Sequence, residues 1–156
     1  MDKLTKDQRR KNMQAVKQKD SKIESLLAKR LYSFGIRYRR NDNSVYGKPD
    51  ISFKKLKIAV FCDSEFWHGK DWETKKYEIK SNQDFWYKKI ESNILRDKEV
   101  NSQLSESGWK IIRFWGKDIE KKLEFCVSSI QNAIFEQKEK INDLHKDIKR
   151  REISGN

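Results

Sequence analysis

Apolar positions along the chain follow two periods, and the switches between them lay out the fold. From residue 20 to 35, Ile23, Leu26, Leu27, Leu31 and Phe34 recur every three or four residues, as on one face of a helix. Ser21 and Glu24 stand at capping-box spacing at its start, and Gly35 closes it. Residues 1–19 lack this pattern and read as a basic arm, with helical tendency near residues 9–17 and the option of ordering on a partner. Residues 36–40 alternate as a short strand, and residues 41–48 are rich in turn formers. Residues 49–53 read as a second strand, with Pro49 fixing its entry and biasing Lys48 toward an extended backbone. Lys54 and Lys55 make a tight turn. Residues 57–62 are almost continuously apolar, which predicts a central strand covered on both faces. Residues 72–84 are polar and irregular. Residues 84–108 read as a long helix with Trp86, Ile90, Ile94 or Asn93, Asp97 and Val100 on successive turns. Residues 109–115 alternate as a strand. Residues 118–150 read as a helix turning Ile119, Leu123, Cys126 or Val127, Ile130 and Ile134 inward. Past Phe135 the chain is mostly charged, although Ile141, Leu144 and Ile148 keep helical spacing.

Helix, three strands, helix, strand, helix is the order of an α/β domain with a small mixed sheet flanked by helices. At 156 residues and 35% hydrophobic, the chain supports one modest core. The predicted division is a basic arm at 1–19, the domain at 20–135 and a charged helical extension at 136–156. The N-terminal stretch MDKLTKDQRRKNMQ has no apolar run and does not read as a signal peptide, and no apolar run is long enough to span a membrane, which predicts a cytoplasmic protein. Cys62 and Cys126 are far apart in sequence and form no CxxC pair, so both are expected to be reduced.

Charge changes the picture. Lys and Arg number 36 against 24 Asp and Glu, a net charge of +12, which suits a polyanionic partner. A basic protein without a specific partner would show the same excess. Five Trp and eight Phe in so polar a chain favour nucleic acid, because rings beside cations stack on or wedge between bases.

The densest chemistry lies in residues 47–68. Asp50 opens one strand although aspartate is depleted in strands; a turn aspartate bonding its own backbone is the plain alternative. Asp63, Glu65 and His68 follow the apolar strand. Asp63 and Glu65 would share a side if the strand continued, and either is otherwise a loop charge. Two adjacent strands ending in carboxylates and a histidine can hold a divalent cation and a base near one scissile bond. Mg²⁺ needs only one or two carboxylates besides water and phosphate. His68 has the near-neutral pKa suited to deprotonating water, whereas His145 sits in the charged tail. Phe66 and Trp67 lack apolar periodicity around them, so a wedge competes with a core role. Lys88, Lys89, Asn93 and Arg96 on the long helix could meet phosphates or base edges, or simply form a solvated face.

RRKNMQAVKQKDSKIE, YGKPDISF, AVFCDSEFWHGK, FWYKKIESNILRD and GWKIIRFW together resemble, in order and spacing, the very-short-patch-repair (Vsr) DNA mismatch endonucleases of the PD-(D/E)xK nuclease superfamily. The resemblance covers residues 7–117. It implies a restriction-endonuclease-like core and a Mg²⁺-dependent enzyme that nicks one strand of double-stranded DNA beside a T:G mismatch. By position, Asp50 resembles the metal-binding aspartate and Cys62 the residue whose backbone carbonyl is a ligand. His68 resembles the water-activating histidine and Glu24 a supporting acid. Asp63 takes a polar active-site position and is a second candidate ligand. Phe66 and Trp67 match intercalating aromatics, Met13 a residue inserted from the opposite groove, and Lys89 and Asn93 readers of the mismatched site. Arg9, Arg10 and Lys11 belong to the DNA-binding arm, and a nucleoid-associated location follows. The family often carries a structural zinc. Here its places are Glu65, Lys70, Trp72 and Lys117, which cannot rebuild a Cys/His site, so no structural zinc is expected and packing through Trp72 takes its place. The alternatives are a restriction- or homing-type enzyme acting on normal duplex, a non-catalytic DNA-binding module, and an interaction module using residues 118–150 as a coiled coil.

Overall fold

A computed structural model of the chain describes residues 5–155, the side chains of residues 16–20 excepted. The remaining residues of the arm and the final residue lie outside the description. The first helix, α1, spans Lys6–Ser33. It starts well before residue 20, so the Ser21–Glu24 capping box is replaced by one further back. Thr5 Oγ1 accepts from Gln8 N at 3.2 Å, and Gln8 Oε1 accepts from Thr5 N at 2.9 Å. The first three turns have almost nothing to bury, yet they contain Lys, Gln, Arg, Met and Ala and no Gly or Pro, so propensity carries the helix outward. At the other end Gly35 takes φ +76° while its N–H and that of Ile36 bond the carbonyls of Tyr32 and Leu31, a Schellman stop.

Four strands follow: β1 (Arg39–Arg40), β2 (Ile51–Phe53), β3 (Ile58–Asp63) and β4 (Lys110–Trp115). They lie in the order β1-β2-β3-β4. The first two pairings are antiparallel and β3–β4 is parallel, with Ile58 opposite Lys110 and Asp63 opposite Trp115. The parallel step needs a crossover, supplied by a short helix α2 (Trp72–Lys75) and the long α3 (Gln83–Glu106). The last helical region is two helices, α4 (Gly116–Lys121) and α5 (Leu123–Ser154), broken at Lys122. The fold is the expected α/β domain with a small mixed sheet between helices.

Alternation along β3 sorts its side chains. Ile58 and Val60 face the α1–α5 side with Leu27, Leu31, Ile119 and Ile130, while Ala59 and Phe61 face Val100 and Leu104 of α3. Each fully buried aliphatic of the larger cluster is worth roughly 1.5–3 kcal/mol. The same alternation carries Asp63, 6% exposed, to the α3 side, where it meets Arg113 of β4. Among the described residues no helix is long and apolar enough to cross a membrane.

Three expectations are corrected at local scale. Lys48 is not extended: its φ is +50°, in the left-handed region, which costs an L side chain about 1–2 kcal/mol. The proline rule gives way there to a turn closed by Lys48 N donating to Val45 O at 3.0 Å. Glu65 does not share a side with Asp63, because the strand ends at residue 63. Its Oε1 accepts from Lys117 N at 2.8 Å, at the start of α4. Trp86 does not enter the core; it is half-buried within a surface cluster of rings.

Candidate active site

A cleft of about 490 Å³ opens along the ends of β2 and β3, between α1 and α3. Met13, Glu24, Asp50, Cys62, Asp63, Trp67, His68, Lys89 and Asn93 all line it, so most of the sequence-predicted residues come together. Phe66 stands outside its wall and is 45% exposed. Arg9, Arg10 and Lys11 are exposed on α1 and do not line the cleft.

At one side, Asp50 Oδ2 accepts from Cys62 N at 2.6 Å, tying the start of β2 to β3. Burial pushes the Asp50 carboxyl up to about 6, the Cys62 N–H opposes this, and the nearby charges of Glu24 and Asp63 add to the rise. Glu24 is held from β1: its Oε1 accepts from Arg40 Nη2 at 3.2 Å and from Asn41 Nδ2 at 3.1 Å. Burial likewise raises the Cys62 thiol, consistent with an inert side chain.

On the other side His68 Nδ1 lies 2.6 Å from Asp97 Oδ2 and 3.6 Å from Asp63 Oδ1. Burial alone would lower its pKa. The bond to Asp97 and the charges of Asp63 and Asp97 outweigh that, and the net shift is upward. Arg113 holds the pair of acids. Its Nη1 is 3.1 Å from both Asp63 oxygens and 3.7 Å from Asp97 Oδ1, its Nε donates to Asn101 at 2.8 Å, and its guanidinium lies 4.1 Å above the Phe61 ring. Asp63 is raised by burial, against the pull of His68 and Arg113.

Donor atoms of Asp63, His68 and Asp97 lie within 4.8 Å of one another, close enough to hold a metal ion. Arg113 already supplies positive charge to both of those carboxylates, whereas Asp50 Oδ1 accepts no hydrogen bond among the described residues. The Asp50 side is therefore the better fit to a hard cation: oxygen donors, a carboxylate in Asp50 that no Lys or Arg neutralises among the described residues, and a backbone carbonyl at Cys62.

The ring tip is larger than the sequence suggested. Phe66, Trp67 and Trp86 are mutually in contact, with centroids 5.4–5.8 Å apart, and Phe85 adds to Trp86 at 5.1 Å. Asn93 Nδ2 donates to Trp67 O at 3.0 Å, anchoring the tip to α3. Behind the tip, Lys70 N donates to Glu65 O at 2.9 Å, and Lys70 Nζ lies 5.7 Å from the Trp115 ring centroid. Buried Trp72 packs edge-on to Tyr87 and donates to Glu91 at 3.2 Å.

Sequence reasoning missed Asp97, Arg113, Arg40 and Asn41 as site residues. Two carried a signal: Asp97 is an acid on the inward face of α3, and Arg113 is a charge inside an apolar strand. Buried charges of that kind need partners.

The profile of the family described as DNA mismatch endonuclease Vsr matches residues 1–74. The chain is 58% identical over 138 residues to the Type II nicking enzyme V.HpaIIP of Haemophilus parainfluenzae, covering 88% of this chain and 98% of that one. It is 52% identical to the Type II nicking enzyme V.NmeDIP of Neisseria meningitidis serogroup C, over 86% of this chain and 90% of that one. With the DNA mismatch endonuclease Vsr of Escherichia coli K12 it shares 34% over 107 residues, 69% of this chain and 68% of that one. A half-buried acid–histidine cleft beside a ring cluster, in a chain matched along most of its length by these enzymes, is that of a DNA-nicking endonuclease, and the chain belongs to the Vsr family.

Proposed function

We propose that the enzyme nicks one strand of duplex DNA beside a T:G mismatch, with Mg²⁺ as its cofactor. The observation that carries this reading is the convergence of Asp50, Cys62 and His68 in one cleft whose rim bears the Phe66–Trp67–Trp86 rings. With Nδ1 turned to Asp97, His68 has Nε2 left to take a proton from water. Asp97 fixes the ring and stabilises the imidazolium once the proton has moved. Asp63 and Arg113 hold Asp97 and His68 in register. Glu24 is a supporting acid, steadied by Arg40 and Asn41. Asp50 and the Cys62 carbonyl would hold the cation, which when bound polarises the phosphate and steadies the leaving oxygen.

The rings wedge the duplex, which is cheapest at a mispaired step, so the wedge itself selects for defects. Met13 and Lys89 face the cleft from α1 and α3, and Arg9, Arg10 and Lys11 meet phosphates farther out on the arm. The test is a panel of matched and mismatched duplexes with Mg²⁺ and with EDTA. Asp50→Ala and His68→Ala are expected to abolish nicking while leaving duplex binding nearly intact. Full nicking by both variants overturns these roles. Equal nicking of matched and T:G duplexes at one sequence favours the alternative, a site-specific nickase of normal duplex, which is compatible with the Haemophilus and Neisseria relatives being Type II nicking enzymes.

A further inference from the structure

Among the described residues five non-glycine positions adopt positive φ: Asn41, Lys48, Lys57, Asp71 and Asn82. Asn and Asp enter that region readily. Lys57 closes a 3₁₀ turn and its Nζ donates to Ser107 O at 3.2 Å, so its side chain has a structural task. Lys48 has no such account. It precedes a proline, where helical conformations are disfavoured as well. It is exposed, and among the described residues its ammonium makes no hydrogen bond or ion pair.

The backbone around it has little freedom. Val45 is buried, a Cβ on Gly47 would meet Val100 Cγ1 at 2.5 Å, and Pro49 is fully buried. Residue 48 is thus pinned between two anchored neighbours in a conformation that glycine would take without strain. Lysine there lines the same cleft as Asp50, Cys62 and His68. Two of the arginines near the acids are already used, Arg40 on Glu24 and Arg113 on Asp63, whereas Lys48 is held in its place by a strained backbone. Strain kept at a cleft for the sake of an unpaired charge is a mark of a ligand contact.

We propose that Lys48 grips the DNA backbone, its ammonium paired with the phosphate next to the scissile one, as a substrate-contacting residue of the nicking reaction. This rests on the endonuclease reading above. A single lysine–phosphate contact also contributes about 0.9 to the slope of log binding constant against log salt.

The experiment compares Lys48→Gly, Lys48→Arg and the wild-type chain in single-turnover nicking, thermal melting and salt-dependent binding. Each is run on a good duplex and on the same duplex with a neutral methylphosphonate at the phosphate next to the scissile one, which leaves the reacting group intact. Lys48→Gly relieves the strain, so its melting temperature is expected to match or exceed the wild type. Its nicking is expected to fall by about tenfold or more and its salt slope by about one. Lys48→Arg recovers most of the rate. Methylphosphonate slows the wild type but adds little further loss to Lys48→Gly. Lys48→Gly nicking within about twofold of wild type, or methylphosphonate slowing both chains equally, overturns the proposal. Failure of the wild type itself to nick any duplex with Mg²⁺ removes the endonuclease reading, and this one with it.

Discussion

At the scale of single residues, His68 decides the pH behaviour. Its folded pKa is raised above 6.5, and in the proposed role of base it acts only when neutral. Nicking should therefore climb as pH passes through a value above 6.5. Asp50, pushed up to about 6, adds a lower step to the acid limb because it must be ionised to hold a cation. Asp97→Asn removes a negative charge and an obligate acceptor from Nδ1. The raised pKa then relaxes downward, so the acid limb should move to lower pH while the plateau falls by about 10- to 100-fold. A pH–rate profile of both proteins checks this. An unmoved limb with an unchanged plateau would mean that Asp97 does not act on His68. Asp50, Cys62, Asp63 and His68 were legible in the sequence because they stand at or just past the ends of one β2–β3 hairpin that brings them together. Asp97 and Arg113 come from later elements and meet His68 only through the crossover, which no local pattern reveals.

At the scale of elements, the central strand, the long crossover helix and the last strand were readable from apolar runs and alternation. What failed has physical causes. The outer turns of α1 are held by propensity and a cap rather than by a buried face, so a search for core periodicity starts the helix too late. The loop after β3 curls at Ser64, where His68 N donates to Ser64 O at 3.1 Å, and this swings Glu65 away from the cleft. That loop holds Glu65 and Lys70 and leads into Trp72, three of the four places where the family often has zinc ligands; the fourth, Lys117, is in α4. Glu65 instead bonds Lys117 N, and Trp72 packs on Tyr87. Glu65→Ala is expected to cost about 0.5–2 kcal/mol, the usual worth of a side-chain acceptor at a helix start. The wild-type melting temperature should be the same with and without a zinc chelator. Thermal denaturation measures both, and a chelator-dependent drop would reinstate a structural metal.

At the scale of the whole molecule, a ring cluster and the cations Lys48, Lys89 and Arg96 lie at the cleft. The net charge of +12 brings a duplex in, but charge alone has no preference for a defect. In the proposed reading preference belongs to the ring cluster, where Trp67 and Trp86 touch at 5.8 Å and Asn93 fastens the tip. Trp67→Ala should thus reduce the ratio of mismatched to matched nicking by about tenfold, within the range of one lost stacking contact, while overall affinity for DNA changes less. Competition binding with both duplexes reads it, and an unaltered ratio excludes the wedge.

The parallel pairing of β3 with β4 puts Arg113 opposite Phe61 and next to Asp63. Shifting β4 by one position would turn Arg113 to the opposite face and offer Ile112 or Phe114 to the acids in its stead. A mispaired molecule would leave Asp63 and Asp97 mutually repelling and His68 without its fixed orientation. Under the proposed mechanism strand alignment and competence to cut are thereby linked, so a wrongly threaded copy would lack the means to cut.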